Sequence, residues 1–96
     1  MPAYVIFLRE KPVHNQAEMD IYTRGSRERP IDPKLKPLTV YGALEGIEGT
    51  PPDGVVILEF PTVEDAKNWY YSPAYQAAAV HRRNGAEYRA VIVQGM

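Results

Sequence analysis

The sequence predicts an α+β domain in which strands and helices follow the order βαββαβ. Three observations support this fold class. Four runs of apolar and β-branched residues are separated by polar segments, and such runs are typical of buried strands. A helix-compatible segment follows the first run. Two consecutive helix-capping signals lie between the third run and the fourth, where a second helical segment is expected.

The four strands are predicted at residues 4–8, 38–44, 55–60 and 88–93, where apolar residues follow one another almost without interruption. Gly42 lies within the second run, and a glycine in a strand marks a bulge or a close approach of backbone or ligand. Together with the helices, these strands give the ferredoxin-like arrangement, a four-stranded antiparallel sheet with its helices on one face.

The first helix is predicted from Asn15 to about Thr23. Asn15 is a good N-cap, and Met19 and Tyr22 are three positions apart, so they share the face expected to meet the core. Residues 24–37 contain three prolines, which predict a frayed helix end or short turns and then a loop. Because this loop exceeds the usual ~4–6 residues, it is expected to contribute to a pocket or an interface.

The segment from residue 59 to residue 83 is the most informative part of the chain. It contains the only tryptophan, three tyrosines, a histidine and two arginines. Thr62 can cap a helix that begins at Val63. Ser72 and Pro73 end that helix and begin another, because proline suits the first position of a helix but not its interior. The second helix is predicted to end near residue 84, with Gly85 as a left-handed C-cap.

Composition limits the classes of partner. The chain has 96 residues and no cysteine, so we expect one domain, residues 1–96, without disulfides or thiol chemistry. Its formal net charge is −1, without the basic stripe that nucleic-acid binding requires. No apolar run reaches the ~20 residues that span a bilayer. Neither nucleic acid nor membrane is expected as a partner, and the protein is expected to be soluble and cytoplasmic.

No metal or other cofactor is expected. His14 and His81 are far apart in the sequence and have no carboxylate at ligand spacing. The glycines of residues 45–54 do not lie between a strand and a helix, as a phosphate-binding loop requires, and there is no GxSxG motif. Any catalysis would therefore be cofactor-free acid–base chemistry or a substrate-driven oxidation.

The strands also predict the partner of this chain. A sheet with helices on one face and water on the other should alternate apolar and polar residues, but YVIFL and VVILEF do not. The helix-free face must therefore be covered. An identical sheet is the simplest cover, which predicts a homodimer formed through the sheet face.

Four segments of the chain resemble the DUF1330 family: residues 1–6 (MPAYVI), 41–49 (YGALEGIEG), 55–76 (VVILEFPTVEDAKNWYYSPAYQ) and 89–95 (RAVIVQG). The resemblance covers nearly the whole chain, and WYYSPAYQ is its most specific part. It implies a ferredoxin-like subunit of a dimeric α/β barrel. The chain departs from the family at residues 24–37, where relatives usually have a longer and smoother helix.

The resemblance implies a fold more firmly than a chemistry, because DUF1330 has no assigned function. Similar barrels include cofactor-free quinone-forming monooxygenases, muconolactone isomerases, haem-degrading enzymes and proteins without known catalysis. The spacing of Trp69 and Tyr75 also resembles an aromatic pair of antibiotic-biosynthesis-type monooxygenases.

Aromatic residues beside the helix break are the first candidates for a ligand site. Trp69 and Tyr75 lie on either side of the break, so both rings can face the sheet and offer an indole N–H and a phenol to a ligand. Tyr22 could meet them from the first helix, and Tyr41 could present a phenol from the second strand. The alternative is that these aromatic side chains only pack the core.

His81, Tyr75 and Glu59 are the candidate catalytic residues. His81 is the best general acid or base in the chain, because a histidine side chain ordinarily titrates near neutral pH, although it could equally face solvent. Glu59 would be a base with a raised pKa if it lay under the helices, or an ordinary rim residue if it paired with Arg89. Arg82 or Arg83 could clamp a ligand carboxylate, or both could complement the C-terminal end of their helix.

These residues leave two kinds of function open. One is a cofactor-independent isomerase, lyase or monooxygenase that acts on a small apolar or aromatic acid. The other is a dimer without catalysis, either a ligand-binding protein or a structural one. The sequence does not decide whether the protein is an enzyme.

Overall fold

A computed structural model describes all 96 residues. The elements are β1 (Ala3–Arg9), α1 (Gln16–Glu28), β2 (Lys36–Val40), β3 (Gly54–Phe60), α2 (Val63–Tyr70), α3 (Pro73–Gly85) and β4 (Tyr88–Gln94). The predicted order βαββαβ is therefore confirmed, and the second helical segment consists of two helices, as the Ser72–Pro73 break predicts.

The four strands form one antiparallel sheet in the order β2-β3-β1-β4. This is the predicted ferredoxin-like topology, in which the two central strands pair with each other and the second and fourth strands form the edges. The side chains of the central strands alternate between the two faces. One face of β1 and β3 is buried against the helices, and it consists of Ala3, Val5, Phe7, Val56, Leu58 and Phe60.

The first helix is longer than predicted. Asn15 caps it as expected, since its side chain accepts a hydrogen bond from the Glu18 backbone N–H. The helix then continues to Glu28 instead of ending near Thr23, because no helix-breaking residue comes before Pro30. Met19 is buried as predicted, while the proline-containing loop begins only after the helix.

Gly85 is not the left-handed cap that the sequence predicts. The positive-φ residues of the chain are Tyr41 and Gly49, and α3 passes at Ala86 into extended backbone. A Cβ at Gly85 would lie only 2.6 Å from Met19 Cγ, so the glycine permits α1 and α3 to pack closely. Its carbonyl also accepts hydrogen bonds from the backbone N–H groups of His14 and Asn15.

The second strand is shorter than predicted and begins earlier. It ends at Val40 because Tyr41 has a φ of 54°, which turns the chain out of the sheet. The irregular pairing lies between Pro37 and Thr39, so the bulge expected at Gly42 is displaced toward the start of the strand. Gly42 itself follows the strand, and a Cβ at this position would lie 3.0 Å from Thr39 Oγ1.

The face of the sheet opposite the helices is apolar and uncovered. The molecule is only 17 Å thick along its shortest axis, as expected for one sheet and one helical layer. Most side chains on the uncovered face are aliphatic or aromatic: Tyr4, Ile6, Leu8, Val55, Ile57, Val91 and Val93. None of the helices has the length and apolar character needed to cross a membrane.

Candidate functional site

A cavity of about 630 Å³ lies between α1, α3, the loop that follows α1 (residues 29–35) and the helix-side face of the sheet. Its size falls within the ~300–1,000 Å³ typical of small-molecule sites. Aromatic and aliphatic side chains form most of its wall, and a few polar side chains join them. The lining includes Phe7, Tyr22, Arg27, Arg29, Asp32, Leu35, Tyr41, Val56, Leu58, Trp69, Tyr75 and Arg82.

The helix break places Trp69 and Tyr75 side by side in the wall. Ser72 fixes the break because its hydroxyl donates to the Trp69 carbonyl at 2.8 Å and accepts from the Tyr75 N–H at 3.2 Å. The two ring centroids are 4.3 Å apart. Tyr75 is buried and packs against Phe7 of β1. The two rings therefore form a continuous aromatic surface between the helices and the sheet.

Tyr22 and Tyr75 join α1 to α3 through their hydroxyl groups, whose oxygens are 3.0 Å apart. The pKa of Tyr22 is raised well above its ordinary value, mainly by burial and, to a smaller extent, by the neighbouring Tyr75 hydroxyl. Tyr22 therefore remains protonated at neutral pH. The pair presents hydroxyls to the cavity, which can donate to or accept from a ligand.

Arg82 is a buried cation without a carboxylate partner. Arg82 is only 3% exposed to solvent, and its guanidinium carbon lies 4.9 Å from the ring centroids of both Phe7 and Tyr88. None of the five ion pairs in the chain involves Arg82, and its buried Nε has no hydrogen-bond partner. A buried ion costs several kcal/mol in lost hydration, whereas a cation–π contact returns about 0.5–2 kcal/mol. The site therefore favours an anion.

A second tyrosine pair lies next to Arg82. The hydroxyl oxygens of Tyr41 and Tyr88 are 2.6 Å apart, and burial with this hydrogen bond raises the pKa of Tyr41. The Tyr41 ring stacks under the Arg9 guanidinium at 4.6 Å, and Arg9 forms an ion pair with Asp53 at 2.7 Å. A Cβ at Gly54 would lie 2.6 Å from the Tyr41 ring. Glycine at this position therefore leaves room for Tyr41 at the cavity wall.

The structure does not bring the three predicted catalytic residues together. Tyr75 lines the cavity, but His81 lies outside the lining and pairs with Glu18 of α1, with Nδ1 and Oε2 2.5 Å apart. Tyr75, Ala79 and Arg82 form the buried face of α3, and His81 lies beside that face.

Glu59 points away from the cavity. Residues 56, 58 and 60 of β3 are buried against the helices, so the alternation of the strand places Glu59 on the opposite face. It does not lie under the helices, and Arg89 forms an ion pair with Glu10 instead of with Glu59.

All four predicted ligand-binding residues line the same cavity: Trp69, Tyr22, Tyr41 and Arg82. Sequence reasoning missed Phe7, which lies in an unbroken apolar run and carries no sign of its role. It also missed Arg29. The signal that existed was the long proline-containing segment, several of whose residues line the cavity.

Comparison with known proteins supports the fold. A family model described as a domain of unknown function (DUF1330) matches residues 2–96. Among curated proteins, no significant match to the sequence was found.

Solved structures similar to this chain have the same architecture. A protein of unknown function from Rhodopseudomonas palustris is 18% identical with a TM-score of 0.68, over 99% of this chain and 82% of that one. A member of the ethyl tert-butyl ether D family from Bacillus halodurans is 14% identical with a TM-score of 0.64, over the full length of both chains. A dimeric ferredoxin-like protein of unknown function from Bacteroides fragilis is 13% identical with a TM-score of 0.54, over 98% of this chain and 96% of that one.

Proposed function

The chain belongs to the DUF1330 family, whose function is not assigned, and we propose from the lining of the cavity that this protein binds a small organic acid. The carboxylate of the ligand pairs with Arg82, and an apolar or aromatic body fills the space beside Trp69 and Tyr75. The buried, unpaired guanidinium of Arg82 is the observation that carries this proposal.

The neutral residues around Arg82 support an acid of this type. Carboxylates bind arginine through strong charge-assisted hydrogen bonds, and the cavity wall is otherwise mostly apolar. A ligand with a charged end and an apolar body satisfies both parts of this wall. The hydroxyls of Tyr22 and Tyr75 supply a further polar contact.

The tyrosine hydroxyls also favour a second candidate, in which the bound acid is turned over without a cofactor by isomerisation, lyase chemistry or monooxygenation with dioxygen as the oxidant. One hydroxyl of the Tyr22–Tyr75 pair donates to the other, and the remaining O–H could stabilise negative charge that develops on a ligand oxygen by donating a hydrogen bond to it. In that case Tyr75→Phe would lower the turnover number and leave the dissociation constant of the acid nearly unchanged.

The functional unit of this proposal is a homodimer formed through the helix-free sheet face. The apolar residues of that face support it, as does the dimeric state of the Bacteroides fragilis protein. In such a dimer the two cavities lie on the outer, helical sides of the paired sheets, and each remains accessible to a ligand.

Fluorescence of Trp69 provides the test, because this single tryptophan lines the cavity. We expect cyclohexanecarboxylate to change its emission saturably and cyclohexanecarboxamide, the neutral isostere, to bind at least about tenfold more weakly through loss of the charged contact. Equal affinity for the acid and the amide would contradict the proposal.

Two arginine variants locate the contact. Arg82→Met should abolish the preference for the acid over the amide. Arg83→Met removes the same charge from the exposed neighbour on α3 and should leave the preference intact. An equal effect of both substitutions would point to long-range attraction of the anion instead of a contact with Arg82.

A further inference from the structure

Arg29 is a second cation at the cavity wall. It follows the last residue of α1, and its backbone N–H donates to the Gly25 carbonyl at 3.0 Å, which closes the helix before Pro30. Its guanidinium carbon lies 5.4 Å from the centroid of the Tyr75 ring. The Nη1 atom is buried and has no hydrogen-bond partner.

Arg29 and Arg82 line the same cavity and contact different aromatic rings. Arg82 lies against Phe7 and Tyr88, whereas Arg29 lies against Tyr75. Arg29 comes from the end of α1 and Arg82 from the last turns of α3. The two unpaired guanidinium groups therefore lie against different rings of the wall, Tyr75 and Phe7, whose centroids are 6.5 Å apart.

No carboxylate of the chain neutralises either arginine. Asp32 is the one acidic residue among those that line the cavity, which also include Arg27. The Asp32 side chain accepts a hydrogen bond from the Lys34 backbone N–H at 2.8 Å and takes part in none of the ion pairs. The lining therefore contains three guanidinium groups and one carboxylate, an excess of positive charge that one monoanion leaves partly unmatched.

From this arrangement we infer that the ligand is a dicarboxylate, with one carboxylate on Arg82, the other on Arg29, and a short apolar body between them. The inference rests on the proposed function, since it names the class of acid that the cavity takes. A buried guanidinium N–H that lacks a partner is costly, and a ligand with two acidic ends satisfies both groups at once.

The length of the dicarboxylate ligand provides a direct test. The wild-type protein is titrated at neutral pH with the linear dicarboxylates from succinate to suberate and with the monocarboxylates from butyrate to octanoate. Binding is followed by Trp69 fluorescence and by calorimetry. We expect one length of dicarboxylate to bind at least about tenfold more tightly than the monocarboxylate of the same length, as a second charge-assisted contact would provide.

Substitution at Arg29 then assigns the second contact. Arg29→Met should remove the advantage of the dicarboxylate and leave the affinity for the monocarboxylate nearly unchanged. Arg24→Met, at an exposed position of α1 that does not line the cavity, should preserve the advantage. Arg29→Lys provides a second variant that retains the charge, and it should recover part of the advantage.

The outcomes separate this inference from the function on which it rests. If monocarboxylates bind in an Arg82-dependent manner and no dicarboxylate binds more tightly, the inference is wrong while acid binding stands. If Arg29→Met weakens both series equally, the two arginines share one carboxylate, which also overturns the inference. If neither series binds, the proposed function itself fails.

Discussion

At the scale of single residues, the hydroxyl pair of Tyr22 and Tyr75 offers a measurable link between α1 and α3. We predict that Tyr22→Phe and Tyr75→Phe each lower the free energy of unfolding by about 1 kcal/mol, because a part-buried hydrogen bond is lost and one hydroxyl keeps no partner. Urea denaturation measures both values.

The double variant decides whether the two hydroxyls act together. If they bond only to each other, removing both should cost little more than removing one, since neither hydroxyl is then left unsatisfied. Strictly additive losses would show that the two hydroxyls do not depend on each other for stability.

The raised pKa of Tyr22 predicts a loss of stability in alkali. In the unfolded chain this hydroxyl ionises near its ordinary pKa of ~10, whereas in the folded protein it keeps its proton. Above that pH the unfolded state binds fewer protons than the folded state, so the free energy of unfolding falls as pH rises. Its contribution to stability is complete below the unfolded pKa.

Urea midpoints measured across the alkaline range test this dependence. As pH rises, the urea midpoint should fall less steeply in Tyr22→Phe than in the wild type. The difference between the two proteins gives the contribution of Tyr22 apart from that of Tyr41, whose pKa is raised as well. Parallel curves for the two proteins would show that Tyr22 ionises at its ordinary pKa in the folded state.

At the scale of elements, the junction of α2 and α3 determines the spacing of the aromatic wall. We predict that Ser72→Ala costs about 1 kcal/mol, as expected for loss of an N-cap, and also weakens acid binding, because Ser72 bonds to the backbone of both Trp69 and Tyr75. Urea denaturation and Trp69 titration measure the two effects.

Thr62→Ala is the matched control. Thr62 caps α2 at the end away from the break, through a hydrogen bond from the Asp65 N–H at 3.0 Å, and it does not line the cavity. It should cost similar stability without a change in affinity. Equal weakening of binding in both variants would mean that global stability, not the geometry of the break, governs affinity.

Two glycines test how closely α1 approaches α3. Gly85→Ala should lower the free energy of unfolding by about 1–3 kcal/mol through overpacking, because the new Cβ would meet Met19. Gly25→Ala lies within α1 with no atom in the way, and it should raise stability by about 0.5–1 kcal/mol. Stabilisation by both substitutions would show that the helix contact relaxes without cost.

Local signals in the sequence were enough to predict the elements of the fold. The apolar runs predict the strands, and Asn15, Thr62 and Ser72 predict the helix starts, each of which is confirmed by a cap. Helix and strand ends were less predictable because they depend on contacts between distant residues. Gly85, for example, reads as a cap in sequence, while its role comes from Met19 of another helix.

The cavity was predictable only in part, for a related reason. Trp69, Tyr22, Tyr41 and Arg82 could be selected because an aromatic ring with a polar group and a guanidinium can each bind a ligand. The catalytic roles suggested for His81 and Glu59 required knowledge of which face each residue occupies. The position of Arg29 depends on the register in which α1 ends, which no local pattern in residues 24–37 specifies.

At the scale of the whole molecule, the uncovered sheet face predicts the oligomeric state. Ile57 lies on this face and pairs with Ile6 in the adjacent central strand. In a sheet-to-sheet dimer, Ile57→Lys would place a charge within an apolar interface, at a cost of several kcal/mol. We predict that the wild type has the mass of two chains in light scattering and that Ile57→Lys has the mass of one.

Val80→Lys is the control for this prediction, because Val80 is an exposed apolar residue on α3, in the helical layer. It should leave the dimer intact. The thermal midpoint of the wild type should also rise with protein concentration, as mass action requires when association stabilises the folded state, and the midpoint of Ile57→Lys should not. A wild-type monomer, or a dimer that persists in Ile57→Lys, would place the self-association surface elsewhere and leave the apolar sheet face without its predicted partner.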